Sequence, residues 1–218
     1  MSLVGEDAFA LESFPFGPVE NGTSILLTAE DEAVLQTIFY RMLAPAEDER
    51  SVVLATERSG RSIRQALNRA QSGSGTRSSV LACEGSSAGD DIRTVDDLAD
   101  LTRLGMDFSS LIAESQQQSA RFRSGILLCS TICGEVEDTR SVYRLLNSNF
   151  LSELRRGDGI GVCALDVSAD IGADTNSIVA GMKTSFTAHV DVEKTGANEA
   201  TLTLSGLPDA DETVTVSL

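Results

Sequence analysis

A group of acidic residues stands at the first place in the chain where phosphate chemistry would be expected. The apolar run Ser24–Thr28 and the amphipathic pattern from about Glu30 to Leu43 predict a buried strand, a tight turn and a helix. A phosphate-binding loop has this outline, with glycines whose backbone N–H groups converge on phosphate oxygens and a lysine that neutralises their charge. No glycine or lysine is present in this turn, which consists of Thr28, Ala29, Glu30, Asp31 and Glu32. Because three carboxylates would repel a triphosphate, we interpret them as first-turn residues that are favourably placed at a helix N-terminus.

Few residues could hold a metal ion or support histidine chemistry. The cysteines Cys83, Cys129, Cys133 and Cys163 lie inside or beside apolar runs, and Cys129 and Cys133 do not form a C-x2-C pair. We therefore predict reduced cysteines that pack as small hydrophobic side chains, and no metal site. The only histidine, His189, lies in a predicted strand, and no G-x-S-x-G motif supplies a serine nucleophile.

Charge is the strongest signal in the composition. Thirty-three acidic residues face 17 basic ones, which gives a formal net charge of −16, and only Lys183 and Lys194 are lysines. A surface of Asp and Glu with little Lys keeps its hydration in concentrated salt, so we interpret the chain as halophilic, adapted to a salt-rich cytoplasm. An acidic protein from an ordinary cytoplasm is the alternative. We expect no nucleic-acid partner, because such binding requires a basic face.

The sequence carries no recognisable signal for a membrane or for export. No apolar run approaches the roughly 18 residues that a membrane-spanning helix needs. The first residues, MSLVGEDAF, lack a basic segment followed by an apolar one. We therefore expect a cytoplasmic location and no contact with a membrane.

Short apolar strands alternate with amphipathic helices along most of the chain. The predicted strands are Ser24–Thr28, Ser51–Thr56, Ser79–Cys83, Gly125–Ser130 and Gly161–Leu165. The predicted helices run from about Glu30 to Leu43, Ile63 to Ala70, Thr94 to Ile112 with an interruption at Gly105, Val142 to Leu154, and Asn176 to Met182. Three further strands, Phe186–Val192, Ala200–Leu204 and Thr213–Val216, predict an antiparallel extension. This order indicates one α/β domain over residues 1–218, with a mostly parallel sheet covered by helices on both faces.

The order of these elements and several short strings resemble the RecA-like fold. The resemblance is to its KaiC-like branch, and in particular to uncharacterised KaiC-like proteins of halophilic archaea. The strings that carry it are FGPVENGT at 16–23, DDLADLTRLGMDFSSLI at 96–112 and GILLCST at 125–131. It covers nearly the whole chain and implies a three-layer fold whose C-terminal strands close the sheet.

The positions that the resemblance assigns to nucleotide chemistry depart from the family pattern. It places the phosphate loop at Thr28–Glu32, and it places the Walker B aspartate, which holds the magnesium, at Cys129 and Ser130. Thiol sulfur is a poor Mg²⁺ ligand, because that ion prefers hard oxygen donors. It also places a catalytic glutamate at Glu57, but a general base needs an oriented water and a phosphate to attack. We therefore predict no catalytic residue and no cofactor, with Glu57 left as the one candidate.

Three functional hypotheses follow from the sequence. The first is a non-catalytic domain, a pseudo-ATPase, that acts through protein–protein contacts in signalling or regulation. The second is a nucleotide-binding protein or weak ATPase with an unorthodox site around Glu57, Ser130 and Thr131. The third is a structural subunit of an oligomer. For the first, a protein partner is expected, and a homo-oligomer stays open because RecA-like units commonly associate edge to edge.

Overall fold

The computed structural model describes residues 8–172, 174–207 and 213–218. The N-terminal residues in which we looked for an export signal, 1–7, and part of the loop before the last predicted strand, 208–212, lie outside the described residues. The strands of the described part are β1 Ala8–Phe9, β2 Val19–Glu20, β3 Ser24–Ala29, β4 Glu49–Ser59, β5 Ser78–Glu84, β6 Ile92–Thr94, β7 Arg121–Leu127, β8 Asp158–Asp166, β9 Ala188–Lys194, β10 Glu199–Ser205 and β11 Thr213–Ser217.

The helices alternate with these strands as the sequence predicts. They are α1 Glu32–Leu43, α2 Gly60–Ala70, α3 Leu101–Gln118, α4 Cys129–Glu135, α5 Thr139–Leu145, α6 Leu151–Arg156 and α7 Thr175–Lys183. A 3₁₀ turn, Ser74–Arg77, follows α2, and a π-helical turn, Leu146–Phe150, joins α5 to α6. Among the described residues, no helix is long and apolar enough to cross a membrane.

Nine of the strands form one sheet in the order β11-β10-β9-β3-β8-β7-β4-β5-β6, and β1 pairs with β2 separately. From β9 to β6 every neighbouring pair is parallel, whereas β10 and β11 add antiparallel hairpin strands beyond β9. The predicted class, a mostly parallel sheet with a C-terminal antiparallel extension, is therefore confirmed.

Two apolar cores lie on opposite faces of this sheet. Side chains alternate between faces along a strand, so Ile25 and Leu27 of β3 belong to the core under α1 and α2. Leu26, which lies between them, belongs to the core under α3 to α7. The segment 8–20, which contains β1 and β2 and which we call the N-terminal arm, covers part of the first core with Phe9 and Phe14. This three-layer arrangement leaves the carboxyl ends of the central parallel strands at one edge of the sheet.

The structure corrects several of the predicted helices and strands. The helix predicted from Thr94 begins at Leu101, because Ile92–Thr94 pairs with β5 as an edge strand and Asp100 caps the helix. Gly105 does not interrupt α3. A Cβ at this position would lie 2.7 Å from the Asn149 side chain, so the glycine permits a close approach of that side chain to the helix. The strand predicted to reach Ser130 ends at Leu127. Cys129 and Ser130 therefore lie in the first turn of a helix.

Candidate functional site at the carboxyl ends of the strands

All the residues that we singled out for nucleotide chemistry lie near the carboxyl ends of the parallel strands. In open α/β sheets ligands bind at this edge. Ala29 ends β3, and Glu57 lies within β4, two residues before the strand ends at Ser59. Cys129 and Ser130 follow β7 by one residue. The topology therefore places the candidate residues at one edge, and their contacts decide what they can do there.

The turn between β3 and α1 contains only two residues, Glu30 and Asp31. Asp31 is the N-cap of α1, and its Oδ1 accepts a hydrogen bond of 3.0 Å from the Val34 N–H. Its Oδ2 lies 3.0 Å from Lys194 Nζ on β9. The Val34 N–H and then the Lys194 ammonium lower the pKa of Asp31, so the capping carboxylate is ionised at neutral pH. One N–H group of the helix N-terminus, where a phosphate would bind, is thus already bound by the chain's own side chain.

Glu32, which follows Asp31 as the first residue of α1, is also bound to side chains of the same chain. Its Oε1 accepts from Gln36 Nε2 at 2.6 Å, one helical turn along α1. Arg58 at the end of β4 places its guanidinium 3.8 Å from the same oxygen. A cationic side chain therefore does reach this place, but it faces a carboxylate of the same chain.

A cavity of about 710 Å³ lies beside the turn, at the ends of β3 and β9. Its charged lining consists of Glu30, Asp31, Asp191 and Glu193 against one ammonium, that of Lys194. Such a lining repels a triphosphate, because carboxylates raise the energy of a nearby anion.

Thr28, the first residue of the predicted phosphate-loop position, is buried in β3. Its Oγ1 donates to Asp191 Oδ1 at 2.5 Å and lies 2.9 Å from His189 Nε2. A hydroxyl has one proton, so Nε2 must be the donor in the second bond. Burial and, to a smaller extent, the charge of Lys183 lower the pKa of His189. The negative charge of Asp191 partly offsets this decrease. Because Nε2 carries a proton, the imidazole cannot take one from Thr28, unlike the histidine of a Ser-His-Asp triad.

Glu57 and Thr131, two residues of the alternative nucleotide site, are in contact. Thr131 Oγ1 in the first turn of α4 donates to Glu57 Oε1 at 2.5 Å. Glu57 is exposed, whereas Ser130 is buried. The carboxylate is therefore accessible to water, and a threonine hydroxyl orients it.

The chain leaves β7 through an unusual residue, which the sequence did not predict. Leu128 has φ 58° and ψ 59°, in the left-handed region, although it is a buried leucine. Such a conformation costs a non-glycine residue about 1–2 kcal/mol. The Thr56 hydroxyl donates to the Leu127 carbonyl at 3.1 Å, and it lies 3.3 Å from that of Leu128, which helps to hold this turn. The turn directs Cys129 into the apolar core.

The thiols near this turn are poor candidates for chemistry. Cys129, Cys133 and Cys163 are free and buried. The hydrogen bond with Cys129 and burial raise the pKa of the Cys133 thiol far above its ordinary range. Reactivity and metal binding require the thiolate. Among the described residues, no group of three or more His, Cys, Asp or Glu side chains is arranged to hold a metal ion.

We did not predict from the sequence that basic residues would lie at this edge. Arg58 follows Glu57 directly, and Lys194 is one of only two lysines, which is the one signal that could have drawn attention to it. Both face carboxylates of the acidic turn.

A family model describes most of the chain. Residues 22–192, from just before β3 to β9, match the family of unknown function DUF7504. The chain belongs to the DUF7504 family. No curated protein matches this DUF7504 chain.

Solved structures resemble the DUF7504 chain over most of its length. A KaiC-like protein from Pyrococcus horikoshii OT3 shares 12% identity, with a TM-score of 0.58 over 89% of this chain and 84% of that one. The flagellar accessory protein FlaH from Methanocaldococcus jannaschii shares 11% identity, with a TM-score of 0.60 over 96% of this chain and 93% of that one. At these identities the likeness establishes the fold, and the predicted RecA-like fold is confirmed.

Proposed function

We propose that this DUF7504 chain is a RecA-fold domain that does not hydrolyse nucleoside triphosphates and acts by binding another protein, in signalling or regulation. The observation that carries the proposal is the Asp31 cap. The N–H group of Val34, which a phosphate loop would offer to a phosphate, instead donates to Asp31 Oδ1 at 3.0 Å.

The length of the turn supports the same conclusion independently of its charge. A phosphate loop needs several residues with glycines, so that consecutive N–H groups can surround the phosphate. Only Glu30 and Asp31 separate β3 from α1 here. Removing the charges would therefore not restore a phosphate cradle.

The experiment is calorimetric titration with Mg-ATP in molar KCl, on protein shown to be folded by circular dichroism. The same spectrum in dilute buffer tests the proposal that the chain is halophilic and adapted to a salt-rich cytoplasm, since such a chain would unfold there. We expect no saturable heat up to millimolar nucleotide. A triple variant, Glu30→Gln with Asp31→Asn and Glu32→Gln, removes the charges while asparagine keeps the cap. We expect it to remain silent as well.

Saturable binding to the wild type would overturn the proposal. Binding to the triple variant alone would show that charge repulsion, and not the turn geometry, excludes the nucleotide.

The contact between Thr131 and Glu57 favours one alternative, a weak ATPase with an unorthodox site. A threonine hydroxyl at 2.5 Å orients an accessible carboxylate, which could in turn orient a water. Glu57→Gln would then abolish slow phosphate release, whereas Glu84→Gln, at the end of the neighbouring strand β5, would not. A structural subunit is the third reading, and it predicts a stable oligomer in solution at low protein concentration.

A further inference from the structure

One segment of the chain has a charge opposite to that of the rest. From Arg58 to Arg77, both included, the sequence contains five arginines and no acidic residue, although the whole chain has 33 acidic residues and a net charge of −16. Most of this segment is the helix α2 and the 3₁₀ turn that follows it.

The helix α2 presents its polar residues on one face. Ile63 and Leu67 pack into the core. Arg61, Arg64, Gln65, Asn68 and Arg69 follow the spacing of one outward face, and we call these five residues the arginine face. They line a groove of about 630 Å³.

The other side of the groove is small and largely apolar. It is formed by Gly75 and Thr76 after α2 and by Ala88 and Ile92 beside the edge strand β6. One side of the groove thus offers guanidinium and amide groups, and the other offers a narrow apolar wall. These two sides suit a polypeptide ligand that carries both carboxylates and small apolar side chains.

The outer arginines of this face are available for binding. Arg61 and Arg69 are exposed, and neither makes an ion pair within the described part of the chain. Arg64 between them is fixed, because its Nε donates to the Gly75 carbonyl and its guanidinium lies 3.7 Å from Asp91. The face therefore combines one oriented guanidinium with two that have no partner carboxylate among the described residues.

The spacing of the arginines indicates the size of the ligand. Arg61 and Arg69 are eight positions apart on α2, which corresponds to about 12 Å along the helix axis. A single phosphate cannot bind both, whereas carboxylates about two helical turns apart on a polypeptide can. Guanidinium groups pair with carboxylates in bidentate geometry, which adds specificity to charge. A nucleic acid would extend beyond the groove onto a surface whose net charge repels it.

We propose that the arginine face of α2 is a docking site for an acidic segment of a partner protein. This inference rests on the proposed function, because it names the surface and the chemistry of the protein contact.

The experiment uses fluorescence anisotropy with a labelled peptide in which glutamates are spaced to match two turns of a helix and alternate with alanine and leucine. An oligodeoxynucleotide of equal charge is the competing probe. The test variant is Arg61→Ala with Arg69→Ala. Its matched control is Arg140→Ala with Arg144→Ala, which removes two exposed arginines from α5 on the other side of the sheet. All four changes are on helix surfaces, and alanine favours the helix.

We expect saturable binding of the peptide to the wild type, weakened about tenfold or more by the test variant and unchanged by the control. Arg61→Lys with Arg69→Lys should lose part of the affinity, because charge remains while the bidentate geometry is lost. Equal losses in both alanine variants, no saturation, or tighter binding of the oligonucleotide would overturn the inference. Sedimentation that changes from dimer to monomer in the test variant alone would also overturn it, since the occupant would then be a second copy.

These outcomes are separate from those of the nucleotide titration. Binding of Mg-ATP would take place at the edge of the sheet near Asp31. It would refute the proposed function without altering the peptide result. Failure of the peptide to bind would refute the docking site while the nucleotide result stands.

Discussion

The buried ion pair between Glu49 and Arg123 provides a quantitative test of how the sheet is held together. Arg123 Nε lies 2.6 Å from Glu49 Oε2, and the two side chains are 4% and 3% exposed. The same guanidinium donates to the carbonyls of Met42, at the end of α1, and Ala10, in the N-terminal arm, each at 2.9 Å. One residue of β7 therefore connects a neighbouring strand, a helix and the arm.

The perturbation is Arg123→Met, which preserves most of the volume and removes every donor. A hydrogen bond to a charged group contributes about 1.5–3 kcal/mol, and a truncated pair leaves a buried carboxylate without its partner. At the lower of these figures the loss of three hydrogen bonds amounts to about 4.5 kcal/mol, which lies within the range of about 3–5 kcal/mol for breaking a buried pair from one side. Arg121, whose guanidinium lies 3.5 Å from Glu49 Oε1, reduces the loss somewhat.

The assay is equilibrium unfolding in urea, at fixed KCl, followed by circular dichroism. The control is Asp107→Asn, which breaks an exposed ion pair with Arg103. The side chain of Arg103 is 71% exposed and that of Asp107 is 42% exposed. Asp107→Asn should lower the free energy of unfolding by no more than about 0.5 kcal/mol, and this loss should vanish in molar KCl. The loss in Arg123→Met should persist in molar KCl, because salt screens a buried pair much less than an exposed one. A double variant, Glu49→Leu with Arg123→Met, should be more stable than Arg123→Met alone, since the buried carboxylate is removed together with its partner. A loss below about 1 kcal/mol in Arg123→Met would refute the reasoning.

Three further predictions concern the turn, the thiols and a close contact in the core. Asp31→Ala should lower the free energy of unfolding by about 1 kcal/mol in urea titrations, while Asp31→Asn retains most of the cap. Because the folded state lowers the pKa of Asp31, the advantage of its carboxylate is present above the ordinary pKa of aspartate, near 4, and is lost as pH falls below it; an unchanged difference between wild type and Asp31→Asn from pH 7 to pH 3 would contradict this. In native protein a thiol reagent should modify at most Cys83, slowly at pH 7 and faster toward alkaline pH, because burial and then Glu84 raise its pKa to about 11; rapid modification of a second cysteine before unfolding would show that the buried cluster is open. Gly125→Ala should destabilise the protein by about 1–3 kcal/mol, since a Cβ there would overlap the Leu43 and Phe39 side chains; Gly134→Ala, where a Cβ meets nothing within 4 Å, is the control.

The central strands were predictable from the sequence because they are continuous apolar runs buried on both sides, as in β3 and β8. The edge strand β6 was not, because three residues with one buried side chain give no period. The left-handed Leu128 was not predictable either, since nothing in its residue type favours that conformation. Our use of Cys129 and Ser130 as the end of a strand was therefore wrong, while the single domain over residues 1–218 stays a prediction.

Part of the candidate site was readable from local chemistry, and part depended on pairing between distant segments. The cap at Asp31 follows from an acid at a helix start, so the sequence indicated it. The Lys194 and Asp191 contacts could not be predicted, because they arise from the parallel register in which Thr28 lies opposite Asp191 on β9. The role of the turn as a former phosphate loop stays a prediction.

The position of β3 in the sheet has a consequence for how the protein reaches its folded state. Both neighbours of this strand, β8 and β9, come late in the chain, and Leu26 pairs with Cys163. At a translation rate of about 5–20 residues per second, roughly 6 to 26 seconds separate the synthesis of the strand from that of its first partner, which begins at Asp158. During that interval an apolar segment of high β-propensity lacks its sheet. Folding should therefore be slow and completed only after most of the chain has left the ribosome, and the nascent chain should be most prone to aggregate or to bind chaperones before β8 emerges.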